Sequence, residues 1–138
     1  MESNIENLFK FDPYSLTQNE KDEIFYDAMN ESVKFHYKKS NEFRKLCENR
    51  NFSPEKEFLL QEIPFLPVSL FKTFQLKSVP DSDIIKTVYS SATTSNSPST
   101  IFLDQTTSKR QTKALVSIMK DFLVNKKKFL IIDQKSDL

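Results

Sequence analysis

The sequence predicts a fold of the α/β or α+β class, in which a helical N-terminal half leads into a partial sheet. Three observations predict it. Apolar residues recur every 3 to 4 positions through the early part of the chain, β-branched and aromatic residues flank a Ser/Thr stretch that starts at Ser90, and a second helical stripe follows. At 138 residues the chain reads as one domain, 1–138, long enough to bury roughly two thirds of its unfolded surface.

The elements follow in order. Thr17 and Glu20 have the spacing of a capping box, and Phe25, Ala28/Met29, Ser32/Val33 and His36 then form one stripe, which predicts a helix from about Asn19 to about Lys38. Phe43, Leu46 and Cys47 predict a second helix ending near Asn49 to Asn51. Ser53-Pro54-Glu55 reads as a new helix start: Ser can cap, Pro suits the first turn, and Glu favours the positive end of the dipole. Pro64 and Pro67 each remove a backbone donor, so Ile63 to Val68 is expected to be a connector. Ile84, Ile85, Thr87, Val88 and Tyr89, then Ile101, Phe102 and Leu103, predict two strands joined by the long loop Ser90 to Thr100. Ala114/Leu115, Ile118/Met119 and Phe122/Leu123 place a helix after Thr106, and Phe129 to Ile132, ending at Asp133, reads as a buried strand that needs cover on both faces. Such a strand, with few partners in the sequence, leads us to expect an exposed edge and self-association.

Composition removes several function classes. Lys plus Arg is 20 and Asp plus Glu is 19, a net charge of +1, so nothing favours nucleic acid or anionic lipid. There is no glycine, which excludes the glycine-rich dinucleotide turn and the Walker A loop as literal motifs. The single cysteine, Cys47, can make neither an internal disulfide nor a multi-cysteine zinc site. Met1 to Lys10 lacks the basic start and apolar core of a signal peptide, and no apolar run approaches the ~20 residues of a membrane span. A cytoplasmic location without a membrane span is the expectation.

The polar stretch Ser90-Ser91-Ala92-Thr93-Thr94-Ser95 carries the candidate chemistry. Hydroxyls and turn amides in such a loop can converge on phosphate oxygens through donors rather than net charge, and the same composition also suits a solvated loop. Cys47 lies in a helical apolar stripe, the setting of a structural thiol rather than of an acyl nucleophile. His36, the sole histidine, has no second His or Cys at metal-ligand spacing. Lys72 can reach an anion or snorkel, and Asp104 and Asp133 can cap a following element or bind Mg²⁺. Lys126-Lys127-Lys128 reads as a solvated turn.

Ordered segments along the whole chain resemble the LuxE-type acyl-protein synthetases, a family of adenylate-forming enzymes. They are Asp12-Pro13-Tyr14-Ser15-Leu16, Ile63 to Lys72, Ser78-Val79-Pro80, Thr87 to Ser95, Leu103-Asp104, Gln111 to Leu115 and Leu130 to Asp133. The resemblance implies activation of a carboxylic (fatty) acid by ATP with Mg²⁺ to an acyl-adenylate, then transfer to a protein thiol; in bacterial bioluminescence a reductase partner makes the aldehyde. It also implies that Ser90, Ser91, Ala92, Thr93, Thr94 and Ser95 form the phosphate-binding loop. The family's loop has glycine where this chain has Ala92, and the family keeps its adenine pocket, mobile lobe and acyl-accepting cysteine in regions beyond Leu138. The chain is therefore expected to be the N-terminal portion of such an enzyme. Two alternatives stand beside that reading: a non-catalytic fragment or degenerate paralogue that binds or regulates an acyl-transfer enzyme, and a protein deliberately engineered without glycine.

Overall fold

The structure, a computed structural model, describes residues 3–90 and 98–123. The described elements run α1 (Asn4–Asn7), α2 (Gln18–Lys39), α3 (Asn41–Asn49), α4 (Leu70–Thr73), β1 (Ile84–Tyr89), β2 (Thr100–Asp104) and α5 (Gln105–Phe122), with single 3-10 turns at Leu60–Glu62 and Asp81–Asp83. This is a mixed α and β arrangement with a helical N-terminal part and a small two-stranded antiparallel sheet. The strand expected over Phe129 to Ile132, with Asp133 and the lysine run 126–128, lies outside the described residues.

Helix α2 begins where its capping box placed it. The Thr17 N–H donates to Glu20 Oε2 at 2.8 Å, and Thr17 Oγ1 accepts from the Glu20 N–H. The Glu20 carboxyl is held below its ordinary pKa first by the Thr17 hydroxyl, which donates to its Oε2 at 2.6 Å, and second by the Thr17 N–H. Ser40 both ends α2 and begins α3: its N–H donates to the His36 carbonyl at 2.8 Å, and its hydroxyl accepts from the Phe43 N–H at 3.3 Å. Arg44 covers two more open carbonyls of α2, donating to Tyr37 and Lys38. Helix α3 closes in a Schellman motif, with Phe52 N–H on the Cys47 carbonyl at 2.9 Å and Asn51 N–H on the Glu48 carbonyl at 3.0 Å. Asn51 has φ 53°, the one left-handed residue among those described, so asparagine takes the place that glycine usually fills there.

These ends aim α2 and α3 at each other. Val33, Phe43, Cys47 and Phe58 form the core, with Met29, Tyr37 and Phe52 packed against it. The helix start expected at Ser53-Pro54-Glu55 is not formed: the chain makes one turn, Lys56 N–H to the Ser53 carbonyl at 3.3 Å, and then extends. Tertiary contacts win over the local start signal. Pro54 is fully buried, and the Tyr26 hydroxyl donates to the Phe58 carbonyl at 2.9 Å, fixing Phe58 against the core in extended backbone that a helix would withdraw. The connector from Ile63 to Val68 carries no helix, as its prolines require.

A hairpin and a helix complete the described chain. β1 pairs with β2 from Ile84↔Asp104 to Tyr89↔Thr100, with an irregularity between Ile84 and Lys86. Asp104 ends β2 and caps α5, its Oδ1 accepting from the Thr107 N–H at 2.8 Å. The N-terminal segment reaches over to this helix. Glu31 on α2 receives the Asn4 N–H at 2.6 Å at the start of α1, and Glu6 on α1 takes Arg110 Nε of α5 at 2.7 Å. No residue of α5 is buried.

Candidate functional site

β1 and β2, rich in β-branched and aromatic residues, flank the Ser/Thr stretch, and a pair of serines joins its two ends. The Ser90 N–H donates to the Ser99 carbonyl at 3.0 Å, and the Ser99 N–H donates back to Ser90 Oγ at 2.8 Å. Ser99 is buried and Ser90 exposed, so one partner anchors the hairpin while the other stands at the mouth. Ser90 Oγ accepts from the Ser99 N–H, and a serine hydroxyl that accepts one hydrogen bond keeps the capacity to donate another. Of the predicted phosphate residues only Ser90 is described. Ser91, Ala92, Thr93, Thr94 and Ser95 lie outside the described residues.

The other candidates separate cleanly. Asp104 is committed to α5, and its carboxyl is held below the usual aspartate range by the Thr107 hydroxyl and then the Thr107 N–H. Cys47 has no exposed surface, and burial, followed by the Glu48 charge, pushes its thiol up. A thiol so placed is a core side chain rather than a nucleophile. Lys72 lies exposed on α4. Among the described residues no group of three His, Cys, Asp or Glu is placed to hold a metal ion, and no helix is long and apolar enough to cross a membrane.

Sequence reading missed a second feature. His36 Nδ1 and Ser78 Oγ lie 2.7 Å apart across a separation of 42 residues. They line a cavity of about 370 Å³ bounded by α2, α3, the Ile63–Leu66 connector, the segment 71–78 and the start of β2. Phe35 and Phe43 crowd the imidazole edge-on, and desolvation holds its pKa below the ordinary histidine value. The pairing had no local signal, because it is made by elements far apart in the chain.

A family model described as acyl-protein synthetase, LuxE, matches residues 1–137. The chain belongs to the LuxE acyl-protein synthetase family. The match takes in the whole described structure. A curated relative, the long-chain-fatty-acid–luciferin-component ligase of Aliivibrio fischeri, is 33% identical over 86 residues, 62% of this chain. The chain spans about a fifth of that relative's length, 22%. No solved structure matches the chain.

Proposed function

We propose that this LuxE-family chain supplies the phosphate-binding part of an ATP-dependent acyl-protein synthetase, acting on a carboxylic acid, with a fatty acid as the first choice. The carrying observation is the Ser90–Ser99 closure at the base of a Ser/Thr loop, in a chain that the family matches over residues 1–137. The name of the relative, a long-chain-fatty-acid ligase, supports the acid.

ATP would supply the leaving group that makes a carboxylate reactive, and Mg²⁺ would neutralise its phosphates. The part played by this chain is positional. Two strands fix Ser90 and the loop base, so donors meet the phosphates without the ordering cost that a free Ser/Thr segment would incur. Residues 90–95 then hold phosphate oxygens through hydroxyls and amides. Asp104, spent on capping α5, fixes the far end of β2 rather than the metal. Transfer of the acyl group would use a thiol other than Cys47, whose burial and raised pKa disfavour a thiolate. A reductase partner would take the acyl group onward.

Calorimetric titration of the chain with Mg-ATP tests this reading, alongside Ala92→Gly, which restores the residue that the family's loop carries. Measurable binding, tightened in the glycine variant, is expected. Heats no larger than dilution for both proteins at millimolar Mg-ATP would overturn it.

A further inference from the structure

The cavity beside His36 has the make-up of a site for an amphipathic anion. Met29, Val33, Phe43, Leu66, Ile101 and Phe102 give it an apolar wall. Polar groups are few: chiefly His36 and Ser78, 2.7 Å apart, and Lys77 next to them. A pocket of about 370 Å³ lies within the size range of small-molecule sites, and apolar walls with a few placed polar groups are their usual construction.

The charge pattern selects the ligand. Lys77 is the one cation among the described lining residues, and none of them is a carboxylate. Its ammonium stands 5.7 Å from the centre of the Phe102 ring and pairs with Asp81. That partner is mostly in water, its side chain 80% exposed against 27% for Lys77. An incoming carboxylate can therefore replace a solvated counter-ion without stranding a buried charge. Position matters as well. Ile101 and Phe102 lie on β2 two and three residues after Ser99, so the cavity wall and the loop base are close along one segment.

We propose that this cavity binds the alkyl chain of a carboxylic acid, with its carboxylate held by Lys77 and by the one donor that the His36–Ser78 pair keeps for a third group. The choice of an acid rests on the proposed function, whereas the location rests on the cavity alone. A neutral alcohol of the same length would fill the apolar part and forgo the Lys77 contact.

His36 is the sole histidine of the chain, so its ring resonances report on this cavity without ambiguity. The experiment is an NMR titration of the full chain with decanoate and, separately, with decanol, both below their aggregation limits. Decanoate is expected to shift the His36 ring and the Met29 and Ile101 methyls. Lys77→Met should weaken decanoate about tenfold, the loss that one charge-assisted hydrogen bond implies, and leave decanol unchanged. Amide shifts away from the cavity certify that this half-exposed substitution folds. Decanoate that leaves His36, Met29 and Ile101 unmoved would overturn the site, and equal binding of acid and alcohol in both proteins would overturn the carboxylate assignment. A parallel Mg-ATP titration read at Ser90 and Ser99 keeps the two proposals apart: shifts there with a silent cavity sink only the acid site, and the reverse result sinks only the phosphate loop.

Discussion

Phe43 and Cys47 of α3 are 8% and 0% exposed, whereas Leu115 and Phe122 of α5 are 59% and 71% exposed, although both helices repeat apolar residues at 3 to 4 positions. The difference lies in what stands opposite. Helix α3 faces α2 across a junction one residue long, Ser40, and Phe58 closes over both. Helix α5 leaves β2 through Asp104 and meets the N-terminal segment through Glu6, Lys113 over the Phe9 ring, and Tyr14 against Phe122. A periodic stripe thus specifies a helix and one apolar face, while the partner for that face depends on connections that the stripe does not contain. Stability should reside in the α2–α3 region, and the loop base for a phosphate and the exposed apolar face for a partner in the hairpin and α5.

Substitutions can break or sharpen this contrast. The largest effect is expected for Phe58→Ala, which removes the ring that covers both core helices and should cost ~3–5 kcal/mol in urea unfolding. Ile118→Ala, the same kind of truncation on α5, should stay within ~0.5 kcal/mol because the side chain is already 42% exposed. Similar costs at the two sites would erase the distinction.

Asp104→Ala comes next. Loss of the α5 cap should cost ~1 kcal/mol and leave m unchanged. Its pH dependence has a definite sign. The folded carboxyl titrates below the ordinary aspartate range, so its stabilising effect is present above that range and is lost as pH falls through the folded value. The wild-type protein should therefore lose more stability on acidification than Asp104→Ala does, measured by urea midpoints across the acid range.

Smaller still is the tie between α1 and α5. Glu6→Gln weakens a partly exposed ion pair with Arg110 and should cost a few tenths of a kcal/mol, about what such pairs contribute, with amide shifts confined to α1 and α5. Leu115→Lys with Ile118→Glu should alter the melt little and shift sedimentation at high concentration toward monomer, since the double change interrupts the exposed apolar face. A wild-type chain that stays monomeric at the same concentration would refute the expected self-association.

Local signals carried most of the fold. Thr17 and Glu20 announced α2, the prolines at 64 and 67 the connector, and the β-branched runs both strands, because each acts on backbone within a few residues of itself. Ser53-Pro54-Glu55 misled, since Phe58 and Tyr26 decide that segment from outside it. Ser90 was legible as a loop entrance, but its closure by Ser99 needed the strand register to be seen. His36 was read as the end of an apolar stripe; its partner, Ser78, comes from a segment that the stripe cannot specify.

Residue-resolved native-state hydrogen exchange, with and without Mg-ATP, bears most directly on a molecule divided in this way. Without nucleotide, the Cys47 amide should exchange only through global unfolding, and the Ser99 amide, bonded to the exposed Ser90 hydroxyl at the loop base, through a cheaper local opening. Millimolar Mg-ATP should then slow Ser99. Equal protection of Ser99 and Cys47 without nucleotide, or a Ser99 rate that Mg-ATP leaves unchanged, would contradict both the division and the phosphate-binding role assigned to the hairpin.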